Sequence, residues 1–150
     1  ADRLRHTEPA STLKGHPLHT NLGISRTHAD RLLVAGDAAG LVSPFTGEGI
    51  AAALCSGERA AETVKRAFES GSFDAGGLSD YSTALRTRYL ADQKAARFLR
   101  SVLKNPGLLN RVFRRMRENT DLGKLFGLVY LDEDSPKRLL EVQMMLRLLV

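Results

Sequence analysis

An acid and two glycines stand close together in the least charged part of the sequence, VAGDAAGLVSPFTGEGI. Asp37 directly follows an apolar run, and Gly47 and Gly49 flank Glu48 just before a helical pattern begins. A carboxylate in that position can accept hydrogen bonds from the hydroxyl groups of a sugar or sugar alcohol. The start of a helix carries about half a positive charge and favours an anion. These residues therefore indicate a nucleotide-binding site, and two schemes place the ligand differently.

The first scheme reads residues 47–52, GEGIAA, as the dinucleotide fingerprint G-x-G-x-x-A. The glycines of that fingerprint must form the tight turn directly after the first strand of a βαβ unit. Here the apolar run ends at Gly36, well upstream, and no strand pattern follows the helix. We therefore reject the fingerprint.

The second scheme is centred on Gly36 and Asp37. The run at 31–35 (RLLVA) predicts a buried strand of a parallel sheet. Asp37 would then lie at the carboxyl edge of that sheet, where open α/β folds bind ligands. The small residues that follow, beginning with Ala38, leave room for a ligand to approach. The simpler alternative, in which Asp37 only caps a helix, stays open.

The segments GDAAG (36–40) and SPFTGEGI (43–50) together resemble the second FAD-binding motif of the geranylgeranyl reductase family. That family belongs to the flavoproteins with the para-hydroxybenzoate hydroxylase type of fold. Aromatic hydroxylases of this class usually have a histidine where Gly40 stands and an asparagine one place beyond Ile50, and this chain has neither. The resemblance therefore favours the reductase branch.

The resemblance implies that Asp37 binds the ribityl chain of FAD and that the segment from Pro44 to Ile50 lies along the isoalloxazine ring. The helix dipole would then face the edge of the ring that becomes negative on reduction. The implied cofactor-binding residues are Gly36, Asp37, Ala38, Pro44, Gly47, Glu48, Gly49 and Ile50. No catalytic residue and no metal ligand is assigned.

The resemblance also implies an activity, the reduction of isolated double bonds in polyprenyl chains of a lipid, quinone or pigment precursor. The electron donor is left open between NAD(P)H and a ferredoxin-type protein. Two alternatives remain: a flavin-dependent monooxygenase or halogenase of the same fold, and a non-catalytic helical module that binds a partner or a membrane through residues 78–150.

The periodicity predicts a protein that is mostly helical. Helices are expected at 50–70 with Gly71 as C-cap, at 78–103, 108–119 and 122–131, and from Ser135-Pro136 to the end; a short strand is expected near 11–13. The expected fold class is an α/β fragment, mostly α-helical: residues 1–72 form the C-terminal end of an FAD-binding Rossmann-like domain, and residues 73–150 form a helical region. We expect the chain to be the C-terminal part of a longer enzyme, since the βαβ unit that binds the ADP half of FAD has no counterpart in it.

The net charge of +5 is concentrated between Arg86 and Arg117. A basic face of this kind is most often solvated, and an anionic membrane surface is the main alternative. Nucleic acid is disfavoured, because no aromatic residues interleave with the basic ones. The single cysteine, Cys55, cannot form an internal disulfide, which fits a reducing compartment. We therefore expect a cytoplasmic protein, with peripheral contact at the inner membrane face as an open alternative.

Four other side chains could take part in chemistry: His16, His19, Glu48 and Cys55. His16 and His19 have a metal-ligand spacing, but the intervening Pro17 argues against a helical pair. Cys55 is expected to be a small core residue. The role of Glu48 stays divided between the helix dipole and the flavin or a proton relay. A further stripe in the helical region predicts core packing: Tyr81, Leu85, Tyr89, Ala96, Leu99 and Leu103.

Overall fold

The computed structural model describes Glu8, Ser11, Thr12 and residues 14–131 and 133–141. Within these residues the chain is mostly helical, as the periodicity predicts. The helices are α1 (Ile50–Ser70), α2 (Ser79–Leu103), α3 (Pro106–Glu118) and α4 (Thr120–Tyr130), with 3-10 helices at Gly36–Ala39 and Pro136–Leu140. None of the described helices is long and apolar enough to cross a membrane.

The predicted parallel strand at 31–35 is wrong in its extent and in its pairing. The structure has two short strands, β1 (His28–Ala29) and β2 (Leu32–Leu33), which pair antiparallel as a hairpin. Arg31 adopts a left-handed conformation (φ 57°) in the turn between them. The apolar run therefore folds back on the residues just before it. Ser11 and Thr12 are not in a strand, and Leu13 lies outside the described residues.

Helix α1 begins and ends where the sequence predicts, and Gly71 caps it in a left-handed conformation. Its buried side chains are small, Ser56, Thr63 and Ala67, because small residues allow close approach to neighbouring backbone. The large apolar side chains of α1, which recur at helical spacing in the sequence, point outward instead. The exposed fractions are 70% for Ile50, 71% for Leu54 and 73% for Phe68. Helix α1 thus carries an apolar face that is largely exposed, with Phe73 packed edge-to-face against the Phe68 ring.

Helix α2 supplies the centre of the fold. Tyr81, Leu85 and Leu99 are buried, which confirms that the predicted stripe packs in the core. The first core cluster joins α2 to the loop after β2 and contains Leu22, Ala39, Leu41, Tyr81 and Leu85. The second joins the end of α2 to α4 and the C-terminal 3-10 helix and contains Leu99, Leu125, Val129 and Leu139. Helix α2 therefore packs against residues 36–50, called the motif segment below, at one end and against the C-terminal helices at the other.

The C-terminal helices begin with side-chain caps. The side chain of Asn105 accepts hydrogen bonds from the first turn of α3, and that of Asn119 accepts one from α4. Ser135 and Pro136 form the predicted N-cap and N1 pair. The element they begin is a 3-10 helix, Pro136–Leu140, and Glu141 has extended backbone (ψ 139°), so the predicted continuous helix is wrong at that point. Residues 142–150, over which it was expected to continue, lie outside the described residues. The predicted boundary between residues 72 and 73 stays a prediction.

Candidate functional site

The residues around Asp37 form a tight turn that is held from α1. Gly36 donates its backbone N–H to Ser56 Oγ at 3.0 Å, and Ser56 Oγ donates to the Ala53 carbonyl at 2.9 Å. The 3-10 helix that follows is closed by Gly40, whose N–H donates to the Asp37 carbonyl at 2.9 Å. The backbone of Asp37 is therefore fixed against the first turns of α1.

The side chain of Asp37 is exposed and faces the start of α1. A Cβ placed on Gly49 would lie 3.1 Å from Asp37 Oδ1, so only a glycine leaves the carboxylate this close without a shift. The carboxylate has no hydrogen-bond partner among the described residues. The structure thus brings Asp37 and Gly49 together, although they stand far apart in the motif, and leaves both carboxylate oxygens available to a ligand.

The start of α1 lacks a conventional cap, since Gly49 offers no side chain. Glu48 partly fills this role, because its Oε1 accepts a hydrogen bond from the Ile50 N–H at 3.4 Å. This contact supports the helix-dipole role for Glu48 over a role as proton relay. Among the described residues, the N–H groups of Ala51 and Ala52 have no side-chain or loop hydrogen-bond partner, and first-turn amides have none within their own helix.

The loop between the Asp37 turn and the start of α1 is compact. Ser43 N–H donates to the Glu48 carbonyl at 2.7 Å, and Gly47 N–H donates to the Ser43 carbonyl at 3.0 Å. Phe45 packs edge-to-face on two rings of α4, those of Phe126 and Tyr130. The loop is therefore held internally by its backbone and externally by α4.

The eight predicted cofactor residues differ in burial. Asp37, Ala38 and Ile50 are exposed near the start of α1, and Gly36 is buried beneath them. Pro44 is buried and lines a cleft of about 340 Å³ between the loop, α1 and α2. A contact between each of the eight residues and FAD stays a prediction.

Cys55 lies on the wall of the same cleft. It is half-buried, so the expectation of a fully buried core cysteine is wrong. Tyr89 lines the cleft beside it, and burial raises the pKa of the Tyr89 phenol. The Tyr89 hydroxyl accepts a hydrogen bond from Arg88 Nε at 3.0 Å. The cleft is thus polar and mixed in charge, and its lining assigns it no ligand.

Sequence reasoning missed Gln93 and Arg100, two side chains of α2 that hold the motif segment. Gln93 is buried and Arg100 donates a hydrogen bond to the Pro44 carbonyl at 3.3 Å. A sequence signal for Gln93 existed. The apolar stripe of α2 skips one helical turn between Tyr89 and Ala96. Gln93 lies in that turn, four residues after Tyr89 and three before Ala96, and therefore on the same face of the helix. A polar residue at a core position of an amphipathic helix indicates a buried hydrogen-bonding role.

The histidines considered for a metal lie on the surface. His16 and His19 are exposed, and His16 Nδ1 lies 2.8 Å from the Pro17 carbonyl. No group of three or more His, Cys, Asp or Glu side chains suited to a metal ion occurs within the part of the chain that the structure describes.

Comparison with known proteins gives several partial matches. A digeranylgeranylglycerophospholipid reductase of Methanococcus vannielii is 35% identical over 109 residues, 68% of this chain and 27% of that protein. Digeranylgeranylglycerophospholipid reductase 2 of Methanothermobacter thermautotrophicus is 46% identical over 65 residues, 43% of this chain and 17% of that protein. Protein FixC of Escherichia coli is 36% identical over 83 residues, 54% of this chain and 19% of that protein. No protein-family profile and no solved structure matches the chain.

Several of these relatives are named as reductases of geranylgeranyl lipids, and one of them matches 68% of this chain at 35% identity. The resemblance to the geranylgeranyl reductase family found in the sequence is therefore confirmed. The chain spans about a quarter or less of the length of the curated relatives it matches.

Proposed function

We propose that this chain is part of an FAD-dependent oxidoreductase that reduces isolated double bonds of a polyprenyl lipid, quinone or pigment precursor. The proposal depends on one observation above the others, the unpartnered Asp37 carboxylate held beside Gly49 at the start of α1. A ligand with hydroxyl groups next to an electron-rich ring edge fits this pairing of an acceptor with a helix N-terminus.

Two features of the site support FAD as its ligand. Asp37 would accept hydrogen bonds from the ribityl hydroxyls, and the start of α1, at Gly49 and Ile50, would face the pyrimidine edge of the ring, where the flavin would take the place of Glu48 Oε1 at the Ile50 N–H. Bound FAD would supply the hydride for the reduction of a double bond. The chain's own residues bind and orient the cofactor: Ser56 fixes the turn before Asp37, and Gly49 allows the close approach.

The exposed apolar face of α1 supports the proposed fold. Ile50, Leu54 and Phe68 are largely exposed, and Leu32 of β2 is exposed near Phe68 in the same apolar groove. A helix face of this kind is normally covered in a folded protein. We propose that the rest of the FAD-binding Rossmann-like domain, to which α1 itself would belong, packs there.

The name digeranylgeranylglycerophospholipid reductase supports a lipid carrying geranylgeranyl chains as the substrate class. A monooxygenase or halogenase of the same fold is the second candidate, because Asp37 would serve any flavoenzyme of this fold. We propose that the electrons come from NAD(P)H or from a ferredoxin-type protein.

The discriminating experiment uses the full-length protein with a geranylgeranyl lipid. Under anaerobic conditions with a chemical reductant, we expect the lipid to gain two hydrogen atoms for each double bond reduced, as measured by mass spectrometry. A product that gains oxygen or halogen in air, with no hydrogenated product, would instead establish the second candidate. Absence of any product together with absence of bound flavin would leave the non-catalytic helical module.

We further propose a cytoplasmic protein that contacts the inner membrane face through α3. This helix turns Arg114, Arg117 and Phe113 to the solvent, while Val112 is buried on the opposite side. Basic side chains beside an exposed ring fit an anionic lipid surface.

A further inference from the structure

Gln93 is a buried polar residue in the middle of α2, with 4% of its surface exposed. Its Oε1 accepts a hydrogen bond from the Leu22 N–H at 3.1 Å. Its Nε2 donates to the Gly40 carbonyl at 2.7 Å and lies 3.4 Å from the Val42 carbonyl, a second acceptor. One side chain therefore satisfies three backbone groups inside the protein, and its removal would leave all three without a partner.

Two of these hydrogen bonds reach the backbone where the two segments of the motif, residues 36–40 and 43–50, meet. Gly40 closes the turn that carries Asp37, and Val42 begins the loop that leads to Gly49. The backbone is tightly packed here. Gly40 has a left-handed conformation (φ 76°), and a Cβ on it would lie 2.6 Å from Ser25 Oγ. The position of the Gly40 backbone is therefore fixed by its close packing against Ser25 and by the hydrogen bond from Gln93 to its carbonyl.

Helix α2 holds the loop at a second point. Arg100 donates to the Pro44 carbonyl, and it lies two helical turns beyond Gln93, on the same side of α2. Because a helix is rigid over two turns, these two contacts fix the spacing between the Asp37 turn and the loop.

We infer that Gln93 is a positioning residue of the flavin site, which acts through Gly40 and Val42 to fix the Asp37 turn relative to the start of α1. This inference rests on the proposed FAD site. Gln93 does not need to contact the cofactor. It holds the backbone in the binding conformation before the cofactor arrives, so that less ordering accompanies binding.

The test compares the full-length wild-type protein with Gln93→Met, which keeps the length of the side chain and removes its hydrogen bonds. We expect the dissociation constant for FAD to rise about tenfold. We also expect the visible absorption bands of bound FAD to lose fine structure, because the ring lies in a less ordered loop. In the protein without FAD, the amides of residues 45–49 should exchange with solvent about tenfold faster than in wild type.

The matched control is Thr27→Val. It removes another buried side-chain hydrogen bond of α2, from Thr27 Oγ1 to Ser82 Oγ at 2.8 Å, away from the motif. We expect it to lower stability without changing FAD affinity, the flavin spectrum or exchange of the loop. Arg100→Met serves as a second variant, because Arg100 is exposed and its substitution does not endanger folding. We expect it to change FAD affinity, the flavin spectrum and loop exchange in the same direction as Gln93→Met, but by less.

Equal effects of Gln93→Met and Thr27→Val on the flavin measurements would overturn the inference, as would a folded Gln93→Met protein with wild-type FAD affinity and loop exchange. If Gln93→Met does not fold, Arg100→Met decides in the same way. If wild type binds no FAD, the proposed function fails by itself. Faster loop exchange in Gln93→Met would then show that Gln93 orders the loop but not a flavin site, and the inference would be overturned as well.

Discussion

At the scale of single residues, the turn that carries Asp37 is held by the hydrogen bonds of one small side chain, Ser56. Its hydroxyl accepts from Gly36 N–H and donates to the Ala53 carbonyl, and the residue is fully buried. Asp37, the proposed cofactor-binding residue, makes no such contact with its side chain and is exposed. The residue that would bind the cofactor and the residue that stabilises the turn are therefore separate, and substitutions can distinguish their effects.

Ser56→Ala should lower the free energy of unfolding by about 1–3 kcal/mol, since the buried Gly36 N–H loses its acceptor. Urea denaturation measures this change. Ser70→Ala is the control: Ser70 is exposed on the same helix and donates to the Arg66 carbonyl, and its substitution should change stability by no more than about 0.5 kcal/mol. Equal losses in the two variants would show that the Ser56–Gly36 hydrogen bond does not stabilise the turn.

The residue types of the motif were readable from the sequence, but their roles were only partly so. Asp37 and Gly49 are both predicted from the sequence as cofactor residues, and the structure brings them together. The role of Ser56 could not be predicted, because a hydroxyl gives no sign in the sequence of which backbone group it will contact. The predicted contact of Pro44 with the flavin ring stays a prediction. The burial of Pro44 in the cleft depends on how the loop folds onto α2, which residue spacing does not encode.

At the scale of elements, α2 connects the motif segment to the rest of the fold. Tyr81 shows this near the start of α2: its ring is buried, and its hydroxyl donates to the Val34 carbonyl at 2.9 Å. Burial raises the pKa of the Tyr81 phenol above its usual value of 10.0. The folded state therefore favours the neutral phenol more than the unfolded state does.

This shift predicts a loss of stability in alkali. The contribution of Tyr81 is fully present below pH 10.0 and is lost as the pH rises through the raised pKa of the folded state. Tyr81→Phe should remove the part of the fall in the free energy of unfolding at high pH that comes from ionisation of Tyr81. At neutral pH it should cost about 1–2 kcal/mol, because the Val34 carbonyl loses its donor. Urea unfolding of both proteins across the alkaline range measures the slopes, and parallel slopes would contradict the prediction.

The elements differed in how well the sequence predicted them. The bounds of α1 followed from its periodicity and from Gly71, which are local signals. The strand at 31–35 failed because an apolar run does not specify its partner, and the described chain pairs it with His28–Ala29 nearby. The outward direction of Leu54 and Phe68 also escaped prediction, since two faces of α1, one small and one large, both qualified as the packed side.

At the scale of the whole molecule, two surfaces of the described residues suit partners: the apolar face of α1 and the basic face of α3. We propose that the first packs against the rest of a longer polypeptide and that the second contacts a membrane. They differ in chemistry, so salt should distinguish them, because contacts between exposed charges are screened and apolar contacts are not.

The membrane proposal predicts that the full-length protein sediments with vesicles containing anionic lipid and less with neutral vesicles. Replacing Arg114 and Arg117 together by Gln should weaken this binding by about 1 kcal/mol for each charge. The control replaces Arg59 and Lys65 on α1 by Gln, an equal change of charge at exposed positions. Binding that is indifferent to anionic lipid, or equally affected by both pairs, would contradict a membrane contact through α3.

The central claim is that Asp37 holds FAD, and the flavin bound per polypeptide tests it most directly. The full-length protein is purified as wild type, as Asp37→Ala and as Asp80→Ala, an exposed acid in the first turn of α2. We predict that wild type and Asp80→Ala carry the same amount of FAD and that Asp37→Ala carries severalfold less, measured by flavin absorbance after release. Unchanged flavin in Asp37→Ala would contradict the account.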